Sequence, residues 1–178
     1  LLRNEVKNKT NIGKEIEDII SKGDFATDDI VNRLIKKTIS DKKYRNRIIF
    51  DGYPRNIYQA KNLEIMLNSD NQSINFILFL RVTREMVEKR ILGRIICEKC
   101  NVILNEFEDE FENHKCGQQY LKKRTDDNKT SIITRYDEYM EKTKPVLDFY
   151  SSRSYFYEID GSEDIEEISS KIKQILTV

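Results

Sequence analysis

Phe50-Asp51-Gly52-Tyr53-Pro54-Arg55, with Gln59 four residues further on, is the stretch on which the fold turns. The apolar run Ile48-Ile49-Phe50 leads into it, short and β-branched enough to predict a buried strand. At the end of such a strand these residue types suit phosphate chemistry. Asp51 can hold a hydrated metal ion, Gly52 lets a ligand approach the backbone, Pro54 fixes the turn, and Arg55 offers a planar fork to a phosphate. Open α/β sheets bind ligands where a strand ends in a turn. The plain alternative is an ordinary strand-to-helix turn carrying a surface arginine.

Outward from this turn, apolar spacing predicts helices alternating with strands. Leu1 to Val6 reads as a helix, and Ile12, Ile16, Ile19 and Ile20 predict a second over 12–22, ended by Gly23. Thr27-Asp28-Asp29 reads as a helix start, with acidic residues complementing the dipole. A helix follows the turn from about Tyr58 to Leu67. Phe76 to Leu80 is the next buried strand, and Thr83 caps a helix running to about Arg94. Residues 95–123 change character: they hold every cysteine and the only histidine, in short alternating runs, and predict a small β-rich insertion. Helical pattern returns from Asp126 to Tyr150, with Ile132, Ile133, Tyr136 and Met140 on one side. Tyr155 to Asp160 predicts a third strand, and Ser162 caps a last helix. Strands alternating with helices predict an open parallel α/β sheet.

Composition narrows the function classes. The 178 residues make one domain with room for a small insertion. Lysine plus arginine and aspartate plus glutamate number 31 each, which disfavours nucleic-acid binding through bulk charge. No apolar run reaches the length of a membrane span, and the start does not read as a signal peptide. Clustered cysteines suit a metal in a reducing, cytoplasmic compartment better than a disulfide framework.

Arg90 and Arg94, four apart on the predicted Thr83 helix, share a face. Arg124 and Arg135 flank Asp126-Asp127 at the start of the following helix. With Arg55 and Arg3 they make six arginines in separate segments. Phosphoryl transfer needs such a set, because catalysis there is positioning plus neutralisation of charge. Singly, each arginine could equally be solvated surface.

Together these segments resemble the adenylate kinases, in their long-lid form. Asp51-Gly52-Tyr53-Pro54-Arg55 with Gln59 resembles the family's AMP signature, with Tyr53 for the usual Phe. Gly23-Asp24-Phe25-Ala26 is similar to the loop that closes on AMP through backbone contacts. Arg3 matches an arginine that contacts AMP phosphate. Arg90-Ile91-Leu92-Gly93-Arg94 resembles the segment entering the lid. Arg124-Thr125-Asp126-Asp127-Asn128 and Arg135 resemble the segment leaving it. Lys142-Thr143-Lys144-Pro145 and Asp160-Gly161-Ser162-Glu163 are similar to the C-terminal part. The resemblance implies a nucleoside monophosphate kinase fold: a parallel sheet with flanking helices and a small β-rich lid. Residues 1–26 would be the AMP-binding segment, 27–94 and 124–178 the core, and 95–123 the lid.

The resemblance further implies ATP, AMP and ADP as partners, magnesium with ATP, and a monomer. AMP would meet Arg3, Asp24, Phe25, Ala26, Gly52, Tyr53, Pro54, Arg55, Gln59, Arg124 and Arg135. ATP would meet Arg90, Arg94, Ile103, Leu104 and the backbone near Glu163. Arg55, Arg90, Arg94, Arg124 and Arg135 would clamp phosphates, Asp51 would order magnesium through water, and Asp127 would order the lid hinge.

Two departures from the family stand out. Its first strand, its Gly-rich loop with a phosphate-binding lysine, and its second strand have no counterpart in these residues. Residues 1–178 alone are therefore expected to leave Ile48 to Asp51 without strand neighbours, to lack cooperative stability and to be inactive. In the lid, Cys97-Glu98-Lys99-Cys100 has the spacing of a zinc knuckle. The second pair of zinc-bearing relatives is reduced to Cys116, because Asn113 stands where the other cysteine would fall. His114 could supply the fourth ligand. The alternative is a lid without zinc that folds on apolar contacts. A uridylate–cytidylate kinase, which has a short lid, is the near rival. An inactive remnant or a zinc-ribbon binding module is the distant one.

Overall fold

Residues 2–21, 26–107, 114–124 and 127–177 are described by a computed structural model, with the side chains of Arg3, Asn4 and residues 18–21 outside the description. They group into two units. The first joins Leu1–Asn75 to Lys142–Tyr155, and the second joins Phe76–Glu141 to Phe156–Val178.

The first unit is helical. It holds α1 (Leu2–Lys7), α2 (Asn11–Ser21), α3 (Asp28–Ile39), α4 (Ile57–Ser69) and, from the later segment, α7 (Lys144–Tyr150). Thr27 caps α3 by accepting the Ile30 N–H, and Asn56 caps α4 by accepting the Gln59 N–H. Ile35, Ile39, Leu63 and Leu67 form one buried cluster between α3 and α4. Ile16, Ile30 and Leu34 form another, backed by Leu2, Val6 and Ile12. Where α2 crosses α1, a Cβ on Gly13 would stand 2.0 Å from the Glu5 carbonyl oxygen, so only glycine fits.

The second unit carries the sheets. β1 (Ile77–Arg81) pairs in parallel with β5 (Phe156–Asp160), Ile77 opposite Phe156 and Arg81 opposite Asp160. These are the strands expected at 76–80 and 155–160. β2 (Arg94–Cys97) lies between β3 (Ile103–Asn105) and β4 (Leu121–Lys122), antiparallel to both. That small sheet stands where the small β-rich insertion was expected. α5 (Arg84–Leu92), α6 (Lys129–Glu138) and α8 (Ile165–Leu176) are the helices. A π-helical turn, Tyr139–Thr143, leads from α6 to α7. Among the described residues no helix is long and apolar enough to cross a membrane.

The structure corrects three expectations. Ile48 to Asp51 is not a strand: residues 47–50 have no regular secondary structure and belong to no sheet. Ile48 and Phe50 pack onto the Ile35–Leu67 cluster, while Ile49 between them is 94 % exposed. The side-chain alternation of a strand survives without its ladder, because pairing and not periodicity makes a strand. Secondly, Arg94 is not on the helix with Arg90. Gly93 caps α5, its N–H returning to the Lys89 carbonyl, and Arg94 opens β2. Thirdly, the last helix starts at Asp164, and Ser162 instead bonds the Asp160 carboxylate through both its N–H and its hydroxyl.

Candidate active site

In the first unit, residues 51–59 form a knot of hydrogen bonds. The Tyr53–Pro54 peptide is cis, and Gly52 has φ +71°, a left-handed backbone that favours glycine. The Arg55 Nε–H donates to the Gly52 carbonyl at 2.8 Å, folding the exposed guanidinium back along the turn. The Thr143 hydroxyl donates to the Arg55 carbonyl at 2.9 Å, so the start of α7 buttresses the turn. The Tyr53 hydroxyl donates to Asn32 Oδ1 at 2.8 Å. Burial first, and then the nearby Asp28 charge, push the Tyr53 phenol up to about 12. Asp51 and Pro54 flank this knot, Asp51 exposed and Pro54 half-buried.

Gln59 is only 5 % exposed. Its Oε1 accepts the Arg55 backbone N–H at 2.7 Å, and its Nε2 donates to Asp28 Oδ1 at 2.6 Å. Asn56 Nδ2 donates to the other Asp28 oxygen at 2.9 Å. Asp28, Asn56 and Thr143 are positioning residues that the motifs did not single out. Asp28 figures only in the helix start at 27–29, Asn56 in no motif, and Thr143 within a quoted family segment. Half-buried Ala26 packs against the Ile16 cluster. Asp24 and Phe25, and the side chain of Arg3, lie outside the described residues.

In the second unit, Arg94 and Asp127 meet in a two-point ion pair, Nε to Oδ2 at 2.8 Å and a second nitrogen to Oδ1. The Asp127 side chain is 2 % exposed and that of Arg94 23 %. β2 is thus tied to the segment leading into α6. Arg90, on α5, donates to the Gly161 carbonyl at 2.9 Å, so it touches the loop after β5. In that loop the Glu163 carboxylate pairs with Lys171. Arg135 stands on the wall of a cavity of about 280 Å³ lined by Phe79, Leu80, Ile91 and Tyr136. Arg124 is half-buried just after β4, Ile103 is exposed on β3, and Leu104 is half-buried beside it.

The four candidate ligands converge. One ligand atom from each of Cys97, Cys100, His114 and Cys116 lies within 4.8 Å of the others. Cys100 Sγ stands 3.3 Å from His114 Nε2. Both arms are tight turns: Asn101 N–H returns to the Cys97 carbonyl at 2.8 Å, and Gly117 N–H to the His114 carbonyl at 2.8 Å. Burial of Cys97 opposes ionisation, but the backbone N–H groups of Cys100 and Lys99 and the side chains of Cys100 and His114 outweigh it. The thiol falls to about 6. Burial and the neighbouring sulfurs push Cys116 up.

The family model for adenylate kinase matches residues 1–155. The chain is 55 % identical to an adenylate kinase of Pelagibacter ubique, covering all of this chain and 84 % of that protein. It is 32 % identical to one of Thermosipho melanesiensis, again over the whole chain and 83 % of the relative. With a Bacillus licheniformis adenylate kinase it shares 31 % over 99 % of this chain and 82 % of the other.

The chain belongs to the adenylate kinase family.

As an adenylate kinase it is a nucleoside monophosphate kinase, a transferase acting on nucleotides. The parallel β1–β5 pair with its helices is consistent with that fold. The turn at 51–55 and the Cys/His cluster lie within the matched residues.

Proposed function

We propose that the reversible reaction ATP + AMP = 2 ADP is served by two sets of residues. In the first unit Arg3, Asp24, Phe25, Ala26, Gly52, Tyr53, Pro54, Arg55 and Gln59 hold AMP, with Asp51 ordering water around the metal ion. In the second, Arg90, Arg94, Arg124 and Arg135 neutralise phosphate charge, and Ile103, Leu104 and the backbone at Glu163 receive ATP. We assign Arg124 and Arg135 to AMP as well. Residues 1–26 act as the AMP-binding segment, 27–94 and 124–178 as core, and 95–123 as the lid. The reaction is supported above all by the family match over residues 1–155.

What these residues do is position and neutralise. The moving phosphoryl spreads charge over its oxygens, and fixed guanidinium groups lower its barrier without changing covalent partners. Arg55 is pre-bent by its bond to Gly52, which leaves the guanidinium exposed for an anion. Asp127 holds Arg94 by two bonds, so Arg94 meets a phosphate already oriented. Magnesium bound with ATP supplies further charge neutralisation.

The Cys/His cluster fits structural zinc. A tetrahedral site with Zn–S near 2.3 Å sets its ligand atoms about 3.8 Å apart, and the four atoms here need little movement to reach that. Cys97, Cys100, His114 and Cys116 would hold the ion and clamp the two turns of the lid. The protein acts as a monomer in the cytoplasm. The deciding experiment compares AMP, UMP and CMP as phosphoryl acceptors for the full-length protein. Strong preference for AMP supports the assignment, and equal turnover of AMP and UMP favours a uridylate–cytidylate kinase.

A further inference from the structure

Asp28, Asn56, Gln59 and Arg55 form a chain of hydrogen bonds in which every donor and acceptor is decided by its neighbour. The Gln59 backbone N–H donates to Asn56 Oδ1 at 2.8 Å, so the Asn56 amide must turn its Nδ2 toward Asp28. A carboxylate only accepts, so the Gln59 group facing Asp28 must be the NH2. A backbone N–H only donates, so the Gln59 group facing Arg55 must be the oxygen. Two independent neighbours therefore dictate the same orientation of one amide.

We propose that Asp28 is a specificity-determining residue, which pins the Gln59 amide in the one orientation that accepts adenine and rejects a 6-oxopurine. The proposal rests on the proposed AMP site, with Gln59 assigned there as the residue that reads the base, as the resemblance of residues 51–59 to the AMP signature implies. After the bonds to Asp28 and Arg55, and with no further side-chain partner among the described residues, the Gln59 amide retains one N–H and one lone pair. Adenine presents an acceptor at N1 beside a donor at N6. Hypoxanthine presents the reverse, a donor at N1 beside an acceptor at O6. A freely turning amide would match either base by a half-turn. Here the half-turn would set Oε1 against the Asp28 carboxylate and Nε2 against the Arg55 N–H. It would lose two hydrogen bonds, one of them to a charged group, and leave like poles facing in a site that is 5 % exposed at Gln59.

Asp28→Asn removes the exclusivity and keeps the shape. An asparagine can turn its oxygen to Gln59 or to Asn56, but not to both. With its oxygen on Asn56, its NH2 faces the Gln59 NH2 and only the Arg55 N–H still holds the present orientation; with its oxygen on Gln59, its NH2 meets the Asn56 NH2, so in either case the hold that Asp28 adds is weakened.

The test measures kcat and KM for AMP and for IMP on full-length wild type, Asp28→Asn, Asp28→Ser and Gln59→Ala. The Asp28 variants are expected to lower the AMP-over-IMP ratio of kcat/KM by about tenfold or more. The change should come through a raised KM for AMP and a gain on IMP, with kcat for AMP largely kept. Gln59→Ala should collapse the same ratio. If Gln59→Ala collapses it while the Asp28 variants lose both substrates equally, Asp28 is merely structural and the proposal fails. If Gln59→Ala leaves the ratio unchanged, the assignment of Gln59 as base reader fails, and this proposal with it. Should the Asp28 variants not fold, nitrogen-15 NMR of wild type decides. One Gln59 side-chain amide proton should be shifted downfield and protected from exchange, and a pair exchanging like free glutamine overturns the proposal.

Discussion

Under the proposed function Arg94 carries two jobs, and they are separable by mutation. Arg94→Ala is expected to lower turnover by on the order of 10²-fold, as loss of a charge-stabilising donor does. It also strands the nearly covered Asp127 carboxylate, at a cost of about 3 kcal/mol in stability. Adding Asp127→Asn should restore much of the stability, measured by urea unfolding, and none of the turnover. Recovery of both would make the arginine purely structural. Tyr53 gives a second prediction at this scale. Its folded phenol lies near 12 against an ordinary 10, so the folded state favours the protonated form. That stability is complete below about pH 10 and lost as pH rises through about 12. Tyr53→Phe should flatten the loss of stability across that window, and an unchanged alkaline unfolding profile would refute it.

Two elements depend on close local geometry. The β3–β2–β4 sheet has strands of only 2–4 residues, too short to be stable by pairing alone. If the Cys/His cluster binds zinc, purified full-length protein should carry about one zinc per chain. Chelation should lower the melting temperature, because metal affinity is coupled to folding. Protein that is metal-free and indifferent to chelator would leave a lid held by apolar contacts. The α1–α2 crossing is the other case. Gly13→Ala should cost about 1–3 kcal/mol, since the added methyl meets backbone that cannot rotate away. Urea titration measures this, and a neutral result would mean that α1 can shift without loss.

For the molecule as a whole, the fold was readable where the signal is local. The helix starts at Thr27 and Thr83 follow from a side chain bonding a nearby N–H, and the structure has both caps. The strands at 77–81 and 156–160 follow from apolar runs bounded by turns. Ile48 to Phe50 carries the same signal and forms no strand, because a ladder needs a neighbour that periodicity cannot supply. The end of α5 was misplaced because Arg90 and Arg94 look alike at helical spacing, while the pairing of Ile95 with Leu104 across the lid decides for a strand. Likewise Ser162 has the chemistry of a helix cap, but Asp160 lies within its reach and takes both its donors.

The residues alone determined the family, the turn at 51–55 and the set of candidate metal ligands, because each depends on residue type at short, fixed spacing. Only the tertiary structure decided which groups those residues face. Gln59 meets Asp28 across 31 positions of chain, and Arg94 meets Asp127 across 33. Cys100 meets His114 across 14. Such partners come from helices and strands packing side by side, which brings together atoms that spacing along the chain does not relate. The orientation of the Gln59 amide belongs to the same class, because it exists only once an acceptor and a donor from two other segments close around it.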